Sequence, residues 1–323
     1  MRTPIPRNDE ESNVLTYRAM EEPLRKAFRR YSDLTARGML TKIANILNAA
    51  GYKGDNPQVL NRQADPSTIN ALEEMAQRLP VKERRKVLAK LFGQIGNGKL
   101  TVRNAIRDVT EFGRYEFSAK LYEDSRKVVR DIAAEGMLRG EYMVQKSVGM
   151  AWTFRSPDVK TVDAFLKGKW NQNDVTEFLR PMTGIVRDQV AESILLGEGT
   201  DKMAKRITNV AEIDEVRAKR IARTTTTAVA NEAHMESYKR HGITQYKFRA
   251  MFNERTCPVC GDLDGRIFDV SEKSAGTNYP PIHPNCRCTT TAVIERKQRE
   301  AIAEENSDAK PLTIKVSFTE WKD

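Results

Sequence analysis

The sequence predicts a mainly α N-terminal region of packed helices followed by a small α+β module with a cysteine/histidine knot. Three observations predict it. Apolar residues recur at spacings of three and four from Leu24 to Tyr238, the period of helices with one buried face. Beyond Gly242 the period falls to two, as Tyr246, Phe248 and Ala250 alternate with Lys247 and Arg249, the pattern of a half-buried strand. All four cysteines and one of the three histidines lie between Cys257 and Cys288, so a loop-rich knot closes a chain that is otherwise free of cysteine.

The elements follow in order. Residues 1–20, with prolines at 4 and 6 and mixed charge, read as a flexible or docking arm. Pro23 suits the first turn of a helix, where its missing N–H costs nothing. Leu24, Phe28, Tyr31 and Leu34, then Leu40, Ile43 and Leu47, give that helix its stripe, and Gly51 and Gly54 stop it. Asp65-Pro66-Ser67 opens a second helix and Pro80 a third, in which Val81, Leu88, Leu91 and Phe92 are expected inward and Lys82, Arg84, Arg85 and Lys86 outward. Thr101 caps a long helix through Ile106, Phe112 and Leu121 that runs towards Ile132 before Gly136 weakens it. Ala151 to Phe154 reads as extended. Asp158, Asn173-Asp174 and Thr200 restart helices, and Asp214 caps a long one that ends at Gly242. Arg266-Ile267-Phe268 and Thr289 to Val293 read as strands. Glu295 to Glu305 reads as a charged helix, and Leu312, Ile314, Val316 and Phe318 alternate as a possible edge strand for a neighbour. The implied divisions are an arm at 1–20, a helical domain at 21–195, an α+β module at 196–294 and a tail at 295–323.

Composition narrows the function classes. The chain has 323 residues, 39% hydrophobic and 30% charged, enough for a sizeable core. No apolar run reaches the length of a membrane span. The opening MRTPIPRNDEESN lacks the apolar centre of a secretory signal, so synthesis inside a cell, in the cytoplasm, is expected, where thiols stay reduced and metal binding is favoured over a disulfide. The net charge of +10 suits polyanionic surroundings, double-stranded DNA above all, although a solvated face carries such an excess equally well.

The knot offers five ligands for four positions. Cys257-Pro258-Val259-Cys260 presents two sulfurs from one tight turn, half of a tetrahedral zinc site. His283, Cys286 and Cys288 supply the second half, two of the three being needed. Reduced buried thiols and a disulfide are the alternatives. Arg287, between two cysteines, is free to meet a carboxylate or a phosphate. Arg217, Lys219, Arg220 and Arg223 cluster on one helix as a phosphate-binding stripe, a partner surface or a solvated face. His234 and His241 are expected as packing or surface histidines.

The residues around the knot are more specific than the cysteines. Arg255-Thr256-Cys257-Pro258-Val259-Cys260, Leu263-Asp264-Gly265 and Pro280-Pro281-Ile282-His283-Pro284-Asn285-Cys286-Arg287-Cys288 occur in that order, with Ile221-Ala222-Arg223-Thr224 upstream. The sequence resembles, over about residues 185–294, the phage Mu F-like head morphogenesis family. An acid usually follows the Arg-Thr pair in that family; Thr225 stands here. The resemblance implies a non-enzymatic minor head protein in the virion, associated with the portal protein at the portal vertex. It further implies a part in head assembly, contact with other head proteins, and DNA packaging or ejection. Two other classes compete. A His-Asn-His metal nuclease would use His283 and Asn285, but no second histidine lies between His241 and His283. A zinc-containing DNA-binding protein would use the helix ending at Gly242 for readout.

Overall fold

The computed structural model describes residues 8–208, 211–251, 256–312 and 321. Helix dominates it. In chain order the helices are α1 (Asn8–Ala49), α2 (Pro66–Gln77), α3 (Val81–Gly96), α4 (Val102–Phe112), α5 (Ser118–Val148), α6 (Val159–Leu166), α7 (Gln172–Leu195), α8 (Thr200–Thr208), α9 (Ala211–Arg240), α10 (Pro258–Leu263) and α11 (Arg296–Glu305). The strands are β1 (Met150–Ala151), β2 (Gln245–Arg249), β3 (Ile267–Asp269), β4 (Thr289–Val293) and β5 (Lys310–Pro311).

Local chemistry starts the short helices where it was expected to. Asp65 accepts the Thr68 amide at 2.9 Å, Thr101 that of Asn104 at 3.3 Å and Asp158 that of Thr161 at 2.7 Å. Each satisfies an amide that the first turn leaves without an intrahelical partner. The long helices depart from expectation. Pro23 lies inside α1 instead of opening it, and residues 8–20 of the expected arm are helical. The sequence stripe continues on the near side of Pro23 through Tyr17, and burial of Leu24 and Phe28 beyond it offsets the roughly 3 kcal/mol that an interior proline costs. The long helix expected from Thr101 is two helices, α4 and α5, separated by a 3-10 turn at Gly113–Tyr115. Gly136 does not weaken α5, for the reason given below. Asp214 falls inside α9, which begins at Ala211.

Two compact units share the chain, and spatial grouping does not follow chain order. One unit takes Lys26–Ser125 and Trp170–Arg217. Its core joins Met39, Ile43 and Leu47 of α1 to Leu72 and Met75 of α2, Ile106 and Val109 of α4, Val186 and Val190 of α7 and Met203 of α8. Val81 and Phe92 of α3, expected inward, are 72% and 53% exposed; the buried edge of that helix is centred on Leu91 instead.

The other unit takes Met1–Arg25, Arg126–Lys169 and Ala218–Asp323. Its sheet has the antiparallel order β3-β2-β4, with Tyr246 opposite Ala292 and Phe248 opposite Thr290. Tyr246 and Phe248 share one face of β2, as period two dictates, and both are fully buried. A second sheet pairs β1 with β5. The expected edge strand beyond Leu312 lies outside the described residues. Here α5 and α9 meet almost backbone to backbone. A Cβ on Gly140 would stand 2.7 Å from Ser237 Oγ and 2.9 Å from His234 Cα, and one on Gly136 would stand 2.7 Å from Ala233 Cβ. These glycines are kept by the crossing, which outweighs their poor helix propensity.

Below this crossing Tyr17 Oη lies 3.1 Å from His234 Nε2, and Arg139, 2% exposed, pairs with Glu135 at 3.1 Å. Burial, then the neighbouring Arg139 charge, pulls the His234 pKa down to about 3. The folded chain therefore refuses a proton that the unfolded chain accepts, so the contribution is complete above about pH 6.5 and drains as pH falls towards 3.

Two outcomes follow. Gly140→Ala lowers stability by about 1–3 kcal/mol in urea unfolding, whereas Gly184→Ala in α7, where a Cβ meets nothing within 4 Å, leaves it equal or raised. Between pH 6.5 and 5 the wild type loses up to about 1.4 kcal/mol per pH unit through His234. His234→Gln flattens that slope, and an unchanged slope refutes the assignment.

Candidate metal centre

The knot is built by two short pieces and one long helix. Cys257 is the N-cap of α10, its Sγ accepting the Cys260 amide at 3.3 Å, and Pro258 fills the first helical position, where no N–H is needed. That places Cys260, one turn on, with its sulfur turned inward and the residue 2% exposed. On the second piece the Cys286 amide donates to the His283 carbonyl at 3.1 Å. Asn285 takes φ +69°, a left-handed conformation that asparagine tolerates better than most residues. The turn brings Cys286 back beside the α10 pair, and β4 begins just after Cys288.

The third contribution comes from α9. Thr224 Oγ1 accepts the Asn285 amide at 3.1 Å, and Thr227 Oγ1 donates to the Cys286 carbonyl at 2.7 Å. Asn231 Nδ2 donates to the Cys288 carbonyl at 3.1 Å and Tyr238 Oη to the Thr290 carbonyl at 3.0 Å. The carbonyls of 286, 288 and 290 alternate along the segment and share one side of it. Residues 227, 231 and 238 are spaced four and seven apart and share one side of a helix. A helix edge thus replaces a neighbouring strand along β4.

All five expected donors line one cavity of about 290 Å³, together with Arg223, Met251, Thr256, Asn285 and Arg287. Within it are two tight groups, Cys257/Cys260/His283 and Cys260/Cys286/Cys288, the ligand atoms of each within 4.8 Å of one another. Cys260 belongs to both. His283 Nε2 stands 3.2 Å from Cys257 Sγ and 3.3 Å from Cys260 Sγ. Its Nδ1 lies 2.8 Å from the Pro284 carbonyl, which only accepts, so Nδ1 carries the proton and Nε2 faces the sulfurs. This is the outer hydrogen bond that orients a ligating imidazole.

The electrostatics suit a cation. The Pro284 carbonyl, and then the charges on Cys286 and Cys257, raise the His283 pKa. Cys286 is drawn down to about 5, first by its hydrogen bond with Cys288, while Cys288 is driven up. Burial pushes Cys260 up to about 12. Burial also opposes ionisation of Cys257, but the Cys260 amide and the His283 charge outweigh it and hold that thiol below its ordinary value. In each half of the knot one thiol is held below its ordinary value and the other above it, and the field that raises the His283 pKa equally favours a cation at Nε2. The donors are nitrogen and sulfur alone, five of them where a tetrahedral ion takes four, a set whose chemistry fits zinc.

The arginines separate. Arg223 donates to Asn285 Oδ1 at 3.2 Å and to Glu21 at 3.3 Å, so it braces the turn. Arg287 lines the cavity. Arg217 donates to the Phe178 carbonyl with its guanidinium 4.9 Å over that ring, away from the knot in the other unit. Arg220 is exposed. The motif residues Asn253, Glu254 and Arg255 lie outside the described residues. Both remaining histidines pack: His234 is buried, and His241 lies 3.0 Å from the buried Glu141 carboxylate. Sequence reasoning missed Thr227 and Asn231. Their signal, a polar i, i+4 pair, is masked by Thr224, Thr225 and Thr226 before it and by Glu232 after it.

Neither competing class gains from this geometry. No carboxylate joins either donor group among the described residues, and α9 from Thr226 to Tyr238 is enclosed nearly all round, leaving no face to enter a DNA groove.

Comparison with known proteins agrees with the motif order. Residues 184–291 match the family described as phage Mu protein F like protein. That match covers a third of the chain. The matched segment ends inside β4, so it spans half of α7, α8, α9 and the whole knot. Beyond the segment, the chain is similar to the minor head protein GP7 of Bacillus phage SPP1, 23% identical over 75% of this chain and 88% of that protein. An uncharacterized protein of Haemophilus influenzae is 25% identical over 35% of this chain, and the match spans only 26% of that protein's length. No solved structure matches the chain. No described helix is long and apolar enough to cross a membrane.

Because Cys260 is common to both donor groups, Cys260→Ser lowers zinc affinity more than Cys288→Ser, by at least about tenfold. Competition with a chromophoric chelator reads this, and equal losses count against the shared-sulfur geometry.

Proposed function

We propose that this chain is a structural minor head protein of a tailed bacteriophage. In this reading it resides in the virion head at the portal vertex and binds the portal protein. It acts in head assembly and in DNA packaging or delivery, with a zinc ion held by four of Cys257, Cys260, His283, Cys286 and Cys288. The observation that carries the reading is the likeness to a minor head protein along most of both chains, in a protein whose Mu F-like segment contains the entire knot. The donor set adds support: four sulfurs and one imidazole, three of the sulfurs buried and the second cysteine pair braced by α9, make a scaffold that fixes loops too short to bury a core of their own. Nothing in the reading requires bond breaking, and of the arginines expected to contact DNA phosphates or a partner Arg220 is exposed while Arg287 lines the knot cavity.

Co-expression with the portal protein of the same phage tests it. The expected result is co-purification, about one zinc per chain, and defective heads or undelivered DNA when the gene is deleted. Absence of co-purification together with normal, infectious heads overturns the proposal. Cutting of plasmid in Mg²⁺ or Mn²⁺ that disappears in His283→Ala overturns it in favour of a nuclease.

A further inference from the structure

Helix α3 presents to solvent a face that no other described residue covers. At about 100° per residue, Val81, Arg85 and Phe92 fall along one side of that face and Lys82 and Lys86 along the other. Ala89 lies between them, Gly96 beside Arg85 and Gly93 between the two lysines. A Cβ placed on Gly93 or Gly96 meets nothing within 4 Å, so the floor of the face is smooth and open. Its charge is of one sign. Lys82, Arg85 and Lys86 are exposed and enter no ion pair among the described residues, and Lys90 reaches Asp108 only at 4.0 Å. The helix has a single acid, Glu83, which accepts the Tyr115 hydroxyl.

A solvated basic helix needs no exposed valine and phenylalanine on the flank of its lysines. Large apolar side chains at 72% and 53% exposure beside unpaired cations form a two-part surface, and such patches mark interaction sites. We infer that this face docks an acidic amphipathic helix of a protein partner. Partner carboxylates meet Lys82, Arg85 and Lys86. Partner aliphatic side chains cover Val81 and Phe92, and the Ala89–Gly93–Gly96 floor lets the second backbone approach closely. Duplex DNA would satisfy the lysines but would set both apolar side chains against its charged, hydrated backbone. The inference is independent of the metal centre, since all of its residues lie in the other unit.

The test uses the full chain and a fluorescein-labelled synthetic helix of about five turns, with glutamates on one face and leucines on the other, read by anisotropy at physiological salt. A peptide of the same composition in scrambled order and a short DNA duplex serve as comparators. Saturable binding is expected, at least about tenfold weaker for the scrambled peptide, for Lys82→Glu/Lys86→Glu and, separately, for Phe92→Ser. A charge-swapped peptide with lysines on its polar face restores binding to the Lys82→Glu/Lys86→Glu chain. These residues are exposed, so unchanged thermal melting verifies that each variant folds. Equal binding of ordered and scrambled peptides, or no loss in Phe92→Ser, overturns the inference. So does a duplex that displaces the peptide and loses its own affinity in the same lysine variant, which would mark the face as a nucleic-acid surface.

Discussion

The row of hydrogen bonds from α9 to the carbonyls of Cys286, Cys288 and Thr290 is the constraint on which the C-terminal unit depends. A strand edge left open beside a buried helix strands polar groups away from water, at about 1–3 kcal/mol for each unsatisfied group. Thr227, Asn231 and Tyr238 supply donors to one carbonyl after another at 2.7–3.1 Å. They close the edge of β4 without a further strand, and they fix the height at which the two cysteines of that segment sit. Because α9 is itself locked to α5 through the glycine crossing, the position of Cys286 and Cys288 is referred back to the core of the unit.

The metal centre follows from that arrangement. Cys257 and Cys260 are set by a single short helix, a local device that a tight turn supplies unaided. Cys286 and Cys288 are set by a helix about sixty residues away in sequence, and His283 by the carbonyl of its own neighbour. The ligand atoms of each donor group stand within 4.8 Å of one another, a spacing at which one cation would meet several of them at once.

Much of this was legible in the sequence, for identifiable reasons. Helix starts at Asp65, Thr101 and Asp158 were readable because capping is local chemistry between residues three apart. The strands showed in the alternation about Tyr246 and in the threonine run at 289–291. The five donors showed by clustering alone. What stayed hidden was set by distant partners. Pro23 and Gly136 look like breaks, yet each lies inside a helix, held there by packing that no window of sequence contains. Val81 and Phe92 look like core, but the helix is turned so that Leu91 takes the inward position. Thr227 and Asn231 gave little sign because their acceptors are backbone carbonyls, which every residue possesses and no letter of the sequence records.

The interleaving of the C-terminal unit bears on how the chain reaches its native state. Tyr17 meets His234 across 217 positions, and Glu21 meets Arg223 across 202. As the polypeptide leaves the ribosome, its first helix emerges long before the surfaces it will join, and the stretch that becomes the other unit is translated in between. Contacts of such span close slowly. A nascent chain halted before Tyr238 would hold an exposed leading helix and no finished sheet, a species that invites capture by chaperones.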